Sequence, residues 1–323
     1  MEKVMMVNVA HEEFRVNISA SKRKTVFSLL KKQKFLFLLL LPGMLYFLIF
    51  KYIPMYGILL AFKDYNPQVG VLDSPWIGLK HFHQMFQMNY FWTVTANTLK
   101  ISILKIVIGF PAPIIFALLL NELVSNKFRR IVQTISYLPH FLSWIIVAGL
   151  IFQLVSPSYG IYGFLCEAFG WQPRILMGDG KSFLQILLIS NVWKEIGYGS
   201  IIYLAAIAGI NPDMYESAKI DGAGRFKQCW YITIPCILPT IAMLFVLGLG
   251  GILDGGFDQI FNLYNSMVMP TADIIDTFVY RIGLVEMQYS FSTAVGIAKS
   301  LIALILVLGA NWIVGKISNY TIF

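Results

Sequence analysis

Six long apolar runs divide the chain, near residues 35–62, 92–121, 131–155, 183–210, 233–253 and 290–315. Each holds about 20 residues or more, the length an α-helix needs to cross the hydrocarbon of a bilayer. The pattern therefore predicts an all-α integral membrane protein with six transmembrane helices. Two short polar segments, 122–130 and 211–232, join spans two to three and four to five, while three longer ones, 63–91, 156–182 and 254–289, make the other connections. No internal repeat with a period of about 20–50 residues and no low-complexity tract is present.

Composition agrees with this reading. Hydrophobic residues make up 57% of the chain and charged residues 13%, with mean hydropathy +0.69, whereas a soluble domain carries about a quarter charged residues. With six spans, 15 of the 25 Lys and Arg fall on one side of the membrane and 5 on the other. The positive-inside tendency then accounts for the net charge of +8 and predicts a bacterial cytoplasmic (inner) membrane protein with both termini in the cytoplasm. No small-residue cleavage site follows the first apolar run, so residues 1–33 read as a retained cytoplasmic tail and 34–323 as the membrane domain. Trp76, Tyr90, Phe91, Trp92, Tyr159, Tyr162 and Trp171 crowd the outward loops as an interfacial aromatic belt. Cys166, Cys229 and Cys236 form no CxxC and have no His at ligand spacing, so a packing role is expected and neither a metal site nor a disulfide framework. Outside the leader no basic run is interleaved with aromatics, which argues against a nucleic-acid partner.

Ionisable groups inside a span are costly and by default face the bundle interior or a water-filled path. Span four holds the densest set, Asn191-Val192-Trp193-Lys194-Glu195-Ile196-Gly197-Tyr198. Trp193, Lys194 and Tyr198 set an aromatic face beside hydrogen-bonding groups, which suits a polar ligand with an apolar face. Asn191 and Glu195 belong to the same candidate pathway. The alternative is that Lys194 and Glu195 satisfy partners on neighbouring helices; as adjacent residues they point in different directions and are not expected to neutralise one another. After span five, Asp254, Asp258, Gln259 and Asn262 are expected at the outer mouth, where Gly255 and Gly256 can break the helix and free backbone groups towards a cavity. The acidic residues suit neutral hydroxyls, while Lys51, Lys100 and Lys105 argue for an anionic ligand unless Lys51 and Lys100 simply snorkel, so ligand charge stays open. His140, following Pro139, is expected as a packed hydrogen-bonding residue. Gly180-Lys181-Ser182 is a false phosphate loop, because Ile175 stands where the motif needs glycine. With no HExxH, no GxSxG and no carboxylate pair in a span, the chain itself is expected to hydrolyse nothing.

Between spans four and five lies the most polar long segment of the second half, Met214-Tyr215-Glu216-Ser217-Ala218-Lys219-Ile220-Asp221-Gly222-Ala223 and onwards to Ile241. Asn211-Pro212-Asp213 reads as a helix start and Gly222 as a left-handed stop. A second short helix through Phe226 and Trp230 is expected, with Pro235 and Pro239 limiting the start of span five. Charges of both signs make the segment a poor match to an anionic lipid surface and a better one to a docking knob.

Glu216-Ser217-Ala218-Lys219-Ile220-Asp221-Gly222-Ala223, followed by Ile234-Pro235 and Leu238-Pro239, resembles the "EAA" coupling motif of binding-protein-dependent ABC importer permeases, with Ser217 where the family often has Ala. Residues 39–67, 128–150 and 191–210 are similar to permeases of the maltose-permease-like oligosaccharide importers, with a lean towards the alginate-oligosaccharide branch. The resemblance implies the type I ABC importer permease fold, with a cytoplasmic coupling helix (motif 211–239) between spans four and five. Glu216, Ala218, Asp221, Gly222, Ala223 and Arg225 would couple to the ATPases. It also implies the partners: a second homologous permease subunit, two ATPase subunits, an extracytoplasmic solute-binding protein, membrane lipid and an oligosaccharide. No cofactor is expected on this chain, since ATP and Mg would sit on the ATPases. A permease for phosphate, an amino acid or a peptide shares the coupling motif and remains the rival reading. An ion-driven secondary transporter would favour paired broken helices and needs no docking knob.

Overall fold

The computed structural model describes residues 33–318 except Ile252, so all but the last residue of the predicted tail 1–33 lies outside the described residues. Among them every regular element is helical apart from one antiparallel bridge between Lys63 and Trp76. Four helices are long and apolar enough to cross a membrane, Lys34–Phe62, Asn89–Asn121, Arg225–Leu249 and Tyr289–Gly309; a fifth span results if the bent pair Asn126–Phe141 and Trp144–Leu154 is counted as one. The chain divides into two compact units, Met1–Leu59 and Leu60–Phe323. In the first, the described part is a helix apolar on every side, with exposed Phe, Leu and Tyr side chains all round it; such a helix suits a lipid environment.

Prolines shape three of the long helices in the same way. Leu48–Tyr52, Lys105–Gly109 and Cys229–Thr233 are π-helical turns, and Pro54, Pro111 and Pro235 each stand two residues beyond them. A proline lacks the N–H that would bond the carbonyl four residues earlier, and its ring collides with that carbonyl. The widened turn moves the carbonyl aside, so the helix continues through the proline. This corrects the expectation for span five: Pro235 and Pro239 do not limit its start, and the short helix Arg225–Gln228 is the first turn of one continuous 25-residue helix. The third apolar run is corrected too, for Asn126–Phe141 and Trp144–Leu154 meet at 105°. Pro139 lies in the tight turn Leu138–Phe141, and Ser143 caps the second helix by accepting from the Ile146 N–H.

The centre of the second unit is the 29-residue helix Gly180–Ala208, about 43 Å long at 1.5 Å per residue. Its buried residues, Phe183, Leu187, Ser190, Lys194, Gly197, Ser200, Tyr203 and Ile207, recur every three or four positions and form one stripe. The stripe is small or polar in the middle, which lets neighbours approach closely. A Cβ on Gly197 would collide with the Ser136 carbonyl, and one on Gly199 would touch Pro113 at 3.0 Å. Asp179 starts this helix by accepting from the Ser182 N–H and hydroxyl, at 2.9 and 2.8 Å; the Ser182 bonds hold its carboxyl below the usual range. The false phosphate loop is thus a capped helix start.

The predicted outward loop 254–289 contributes to the core instead of lying wholly outside it. It folds into Phe257–Leu263, Met269–Ala272 and Ile275–Tyr280. Ile260, Leu263, Val268, Ala272 and Ile274 pack with Val147, Ile151, Phe183 and Leu187, while Ile275, Phe278 and Ile282 pack with Met85, Phe91, Val94, Phe291 and Val295. Of the expected aromatic belt, Trp76, Trp92, Tyr159 and Trp171 are exposed, but Phe91 is buried and Tyr90 turns inward.

Candidate functional site

The polar segment after the central helix folds into a knob built largely as its residues dictate. Asn211 caps the helix Pro212–Ile220 by accepting from the Asp213 N–H at 3.1 Å. Gly222 has φ +77°. The Gly222 N–H bonds the Lys219 carbonyl and the Ala223 N–H the Ala218 carbonyl, at 3.0 and 2.8 Å, which is a Schellman ending. The knob is clamped to the start of the next helix by Gln228 Nε2 donating to the Ala223 carbonyl (2.8 Å) and by the Tyr215–Thr233 hydroxyl pair (2.9 Å). Ala218 and Ala223 are half-buried on the clamped side, while Glu216, Asp221, Gly222 and Arg225 are exposed. Ile220 and Phe226 are 88% and 81% exposed. Arg225 reaches back to Glu122, 3.7 Å from its carboxylate, so the two short polar connections meet. The second helix of the predicted knob has no independent existence; the knob is one short helix, a glycine turn and the first turn of the following span.

Deeper in the unit, the polar residues of the central helix are gathered by His140, which the turn at Pro139 aims at them. His140 Nδ1 lies 2.8 Å from Glu195 Oε2, its ring stacks on Tyr198 with centroids 3.8 Å apart and planes 1° apart, and its carbonyl accepts from Lys194 Nζ. Lys194 is only 5% exposed; its ammonium is 3.8 Å from Glu195 Oε1 and lies over the Trp144 ring at 5.6 Å. The adjacent lysine and glutamate do therefore share a loose ion pair, contrary to expectation, because both long side chains bend towards the same histidine. Trp193 and Tyr198 keep 46% and 44% of their surface exposed, although His140 covers one face of Tyr198, while Lys194 is buried.

One turn further along, Asn191 packs beside Gly109 and Ser190 joins the central helix to the helix Phe257–Leu263, which follows the turn 250–256. The long helix already ends at Leu249 with Gly250 as its cap, so Gly255 and Gly256 do not break it as expected; they adopt φ +51° and +84° in the turn that follows. Lys105 Nζ donates to the freed Gly255 carbonyl at 2.8 Å. Gln259 is not at an open mouth: it is 1% exposed and donates to the Leu187 carbonyl and Ser190 hydroxyl, at 2.7 and 2.9 Å. Asp254 is exposed but tied to Lys299 at 3.2 Å, and Lys299 also binds Asp276 at 2.7 Å. Burial lifts the Asp276 carboxyl above its usual range, with Lys299 pulling the other way. Asp258 is exposed, its carbonyl accepting from Asn262. Lys51 and Lys100 are exposed.

Sequence reading missed a third cluster. Asp273, fully buried, accepts from the Tyr90 hydroxyl, the Arg281 guanidinium and the Thr277 hydroxyl, each at 2.6 Å. Burial is the largest single influence and works against the Arg281 charge, but the hydrogen bond and charge of Asp273, with Tyr90 and Tyr264 adding to them, together hold the guanidinium's pKa above its ordinary value. Both residues sit in a segment read as loop, where nothing in the pattern marks them as core. Cys166 is buried, Cys229 half-buried and Cys236 exposed, so the packing role expected of all three fits Cys166 best.

Several helices long and apolar enough to cross a membrane, with a polar knob clamped to one of them, are the scaffold of a membrane transport subunit. The pattern of the family described as "Binding-protein-dependent transport system inner membrane component" matches residues 109–319, and the chain belongs to that family. It is 42% identical to protein LplB of Bacillus subtilis over 306 residues, 95% of this chain and 96% of that one. It is 43% identical over 302 residues to the polygalacturonan/rhamnogalacturonan transport system permease protein YteP of the same organism, 94% of each chain. Its fold matches a chain of a bacterial ABC transporter involved in the import of the acidic polysaccharide alginate, with TM-score 0.84, 44% identity and coverage of 91% of this chain and 99% of that one. A second structure of a bacterial alginate ABC transporter, in complex with an alginate pentasaccharide-bound periplasmic protein, matches with TM-score 0.83 and 43% identity over 91% of this chain and 98% of that one. The chain is accordingly a sugar or oligosaccharide ABC importer permease, a transport subunit and not an enzyme.

Proposed function

We propose that the oligosaccharide carried by this permease is acidic, built from uronate units. The observation that carries the reading is the pair of relatives above 40% identity over nine-tenths of the chain whose polymers, alginate and polygalacturonan, are uronates. The acidic residues that argued for a neutral sugar are partly accounted for, since Asp254 is paired with Lys299. Trp193 and Tyr198 supply sugar-stacking faces and Asn191 and Glu195 hydrogen bonds, with Lys194 and His140 holding Glu195 in place; Asp254 and Asp258 flank the entrance and Gln259 secures the broken segment.

The permease has six spans in this reading, the bent pair forming the third and Gly180–Ala208 the fourth, with both termini and the 1–33 tail in the cytoplasm. A helix of 29 residues is long enough to cross, and its polar stripe explains why it is less apolar than the others. A second homologous permease completes the path, an extracytoplasmic binding protein delivers the sugar, and two ATPases, which carry ATP and Mg, seat the two knobs. Glu216, Asp221, Gly222 and Arg225 meet the ATPase, while Ala218 and Ala223 let the knob pack on its own span. ATP-driven closure then swings the spans between inward-open and outward-open states. The test is ATPase activity of the importer reconstituted in lipid vesicles with its binding protein, across acidic and neutral oligosaccharides. Stimulation by the acidic set supports the reading; stimulation by neutral sugars alone overturns it.

A further inference from the structure

We infer that Lys105 and Gln259 form a subsite for one uronate unit at the glycine break, Lys105 taking the carboxylate and Gln259 a hydroxyl of the same ring; this rests on the acidic-oligosaccharide reading above. Lys194 is neutralised by Glu195, and Lys299 by Asp254 and Asp276. Lys105, half-buried on Asn89–Asn121, has no carboxylate within 4 Å among the described residues, and its one acceptor is the neutral Gly255 carbonyl. An ammonium carries three N–H donors, so two are left for a ligand. Lys51 and Lys100 are also without a carboxylate, but they are exposed.

The second observation is independent of charge. The Oε1 of Gln259 is buried and has no hydrogen-bond partner, although the Nε2 of the same amide makes two bonds that fix its orientation. A buried acceptor left unsatisfied costs about 1–3 kcal/mol, which a donor from a ligand would recover. Both groups surround Gly256: a Cβ there would collide with Lys105 Nζ and lie 3.7 Å from Gln259 Oε1. The slot thus offers a donor cation and a bare acceptor side by side. A carboxylate alone satisfies the first and a neutral sugar alone the second; a uronate ring carries both an anionic acceptor and hydroxyl donors. The slot also adjoins Ser190 and Asn191 on the central helix, which continues the line of polar groups past Trp193 to Glu195.

The experiment compares uptake of a galacturonic acid oligomer with uptake of its methyl ester by the complete importer in vesicles, each at concentrations saturating the binding protein. The same binding protein serves every permease variant, so its own selection cancels in the ratio. Wild type should favour the acid by about ten- to hundred-fold, the worth of one charge-assisted hydrogen bond. Lys105→Gln should bring the two rates within a few-fold, Lys105→Arg should keep most of the preference, and Gln259→Leu should slow acid and ester alike. An unchanged acid-to-ester ratio in Lys105→Gln overturns the inference and leaves the slot to a structural water. Acetylation of Lys105 in the wild-type importer, followed by mass spectrometry, gives a check that needs no variant. Protection by the acid and not by the ester is expected, and labelling indifferent to both overturns the subsite. If wild type takes up neither compound while a neutral oligosaccharide is transported, the acidic-substrate reading itself has failed, and the subsite with it.

Discussion

Arg281→Met is the perturbation whose cost the structure bounds most tightly. Asp273 is 0% exposed and its carboxylate has one cationic partner, Arg281 at 2.6 Å, with the Tyr90 and Thr277 hydroxyls completing its shell. Removing the guanidinium leaves a buried anion on two neutral donors, and losing one member of a buried pair costs about 3–5 kcal/mol. An upper limit comes from chemistry: a carboxylate can always take up a proton, which for an ordinary aspartate at pH 7 costs about 4 kcal/mol. The loss should therefore be about 3–4 kcal/mol, or roughly 5 °C in the melting midpoint for a chain of this size. The assay is thermal melting of the purified importer in nanodiscs, followed by tryptophan fluorescence. Asp273→Asn with Arg281→Met should recover at least half of the loss, because the uncompensated charge is gone. A shift under about 2 °C for the single variant, or a double variant that melts no higher, would refute the reasoning. Tyr90→Phe, which removes only a neutral donor, should cost about 1–3 kcal/mol.

Three further outcomes are expected. Glu216→Lys and Gly222→Trp should abolish coupled uptake while the chain still inserts, since Glu216 is exposed on the knob and Gly222 holds φ +77°; vesicle uptake measured beside ATPase copurification checks this, and wild-type coupling in an assembled complex would count against the docking role. Gly197→Leu should prevent stable folding, because even a Cβ at that position collides with the Ser136 carbonyl, and a normal yield of the variant in the membrane would contradict the packing. Trp193→Ala should weaken uptake several-fold with assembly intact, Trp193 being half-exposed on the polar helix; loss of assembly instead would make it a packing residue.

The local instructions in this chain are strong enough to be read without coordinates. Apolar runs of spanning length give membrane helices, because backbone groups in lipid must bond within their own segment. Asn211 and Gly222 start and stop the knob helix through their own backbone preferences, and Gly255-Gly256 takes the left-handed turn beyond the end of the long helix. What the sequence could not disclose is which polar group meets which. The bond of Lys105 to Gly255 spans 150 residues, that of Tyr90 to Asp273 spans 183, and that of Gln259 to Leu187 spans 72. Segment 254–289 reads as loop from its mixed pattern, yet it holds a good part of the core, because short helices bury residues on several neighbours at once and leave no single period. Likewise His140 looks isolated along the chain and joins Glu195, Lys194 and Tyr198 only after Pro139 turns it through the 105° bend. Backbone propensity and hydrophobic length act between near neighbours, so the sequence alone determined the long apolar helices, the Asn211 cap and the Gly222 stop. Pairing of buried charge depends on distances between helices, and that was decided by the packing.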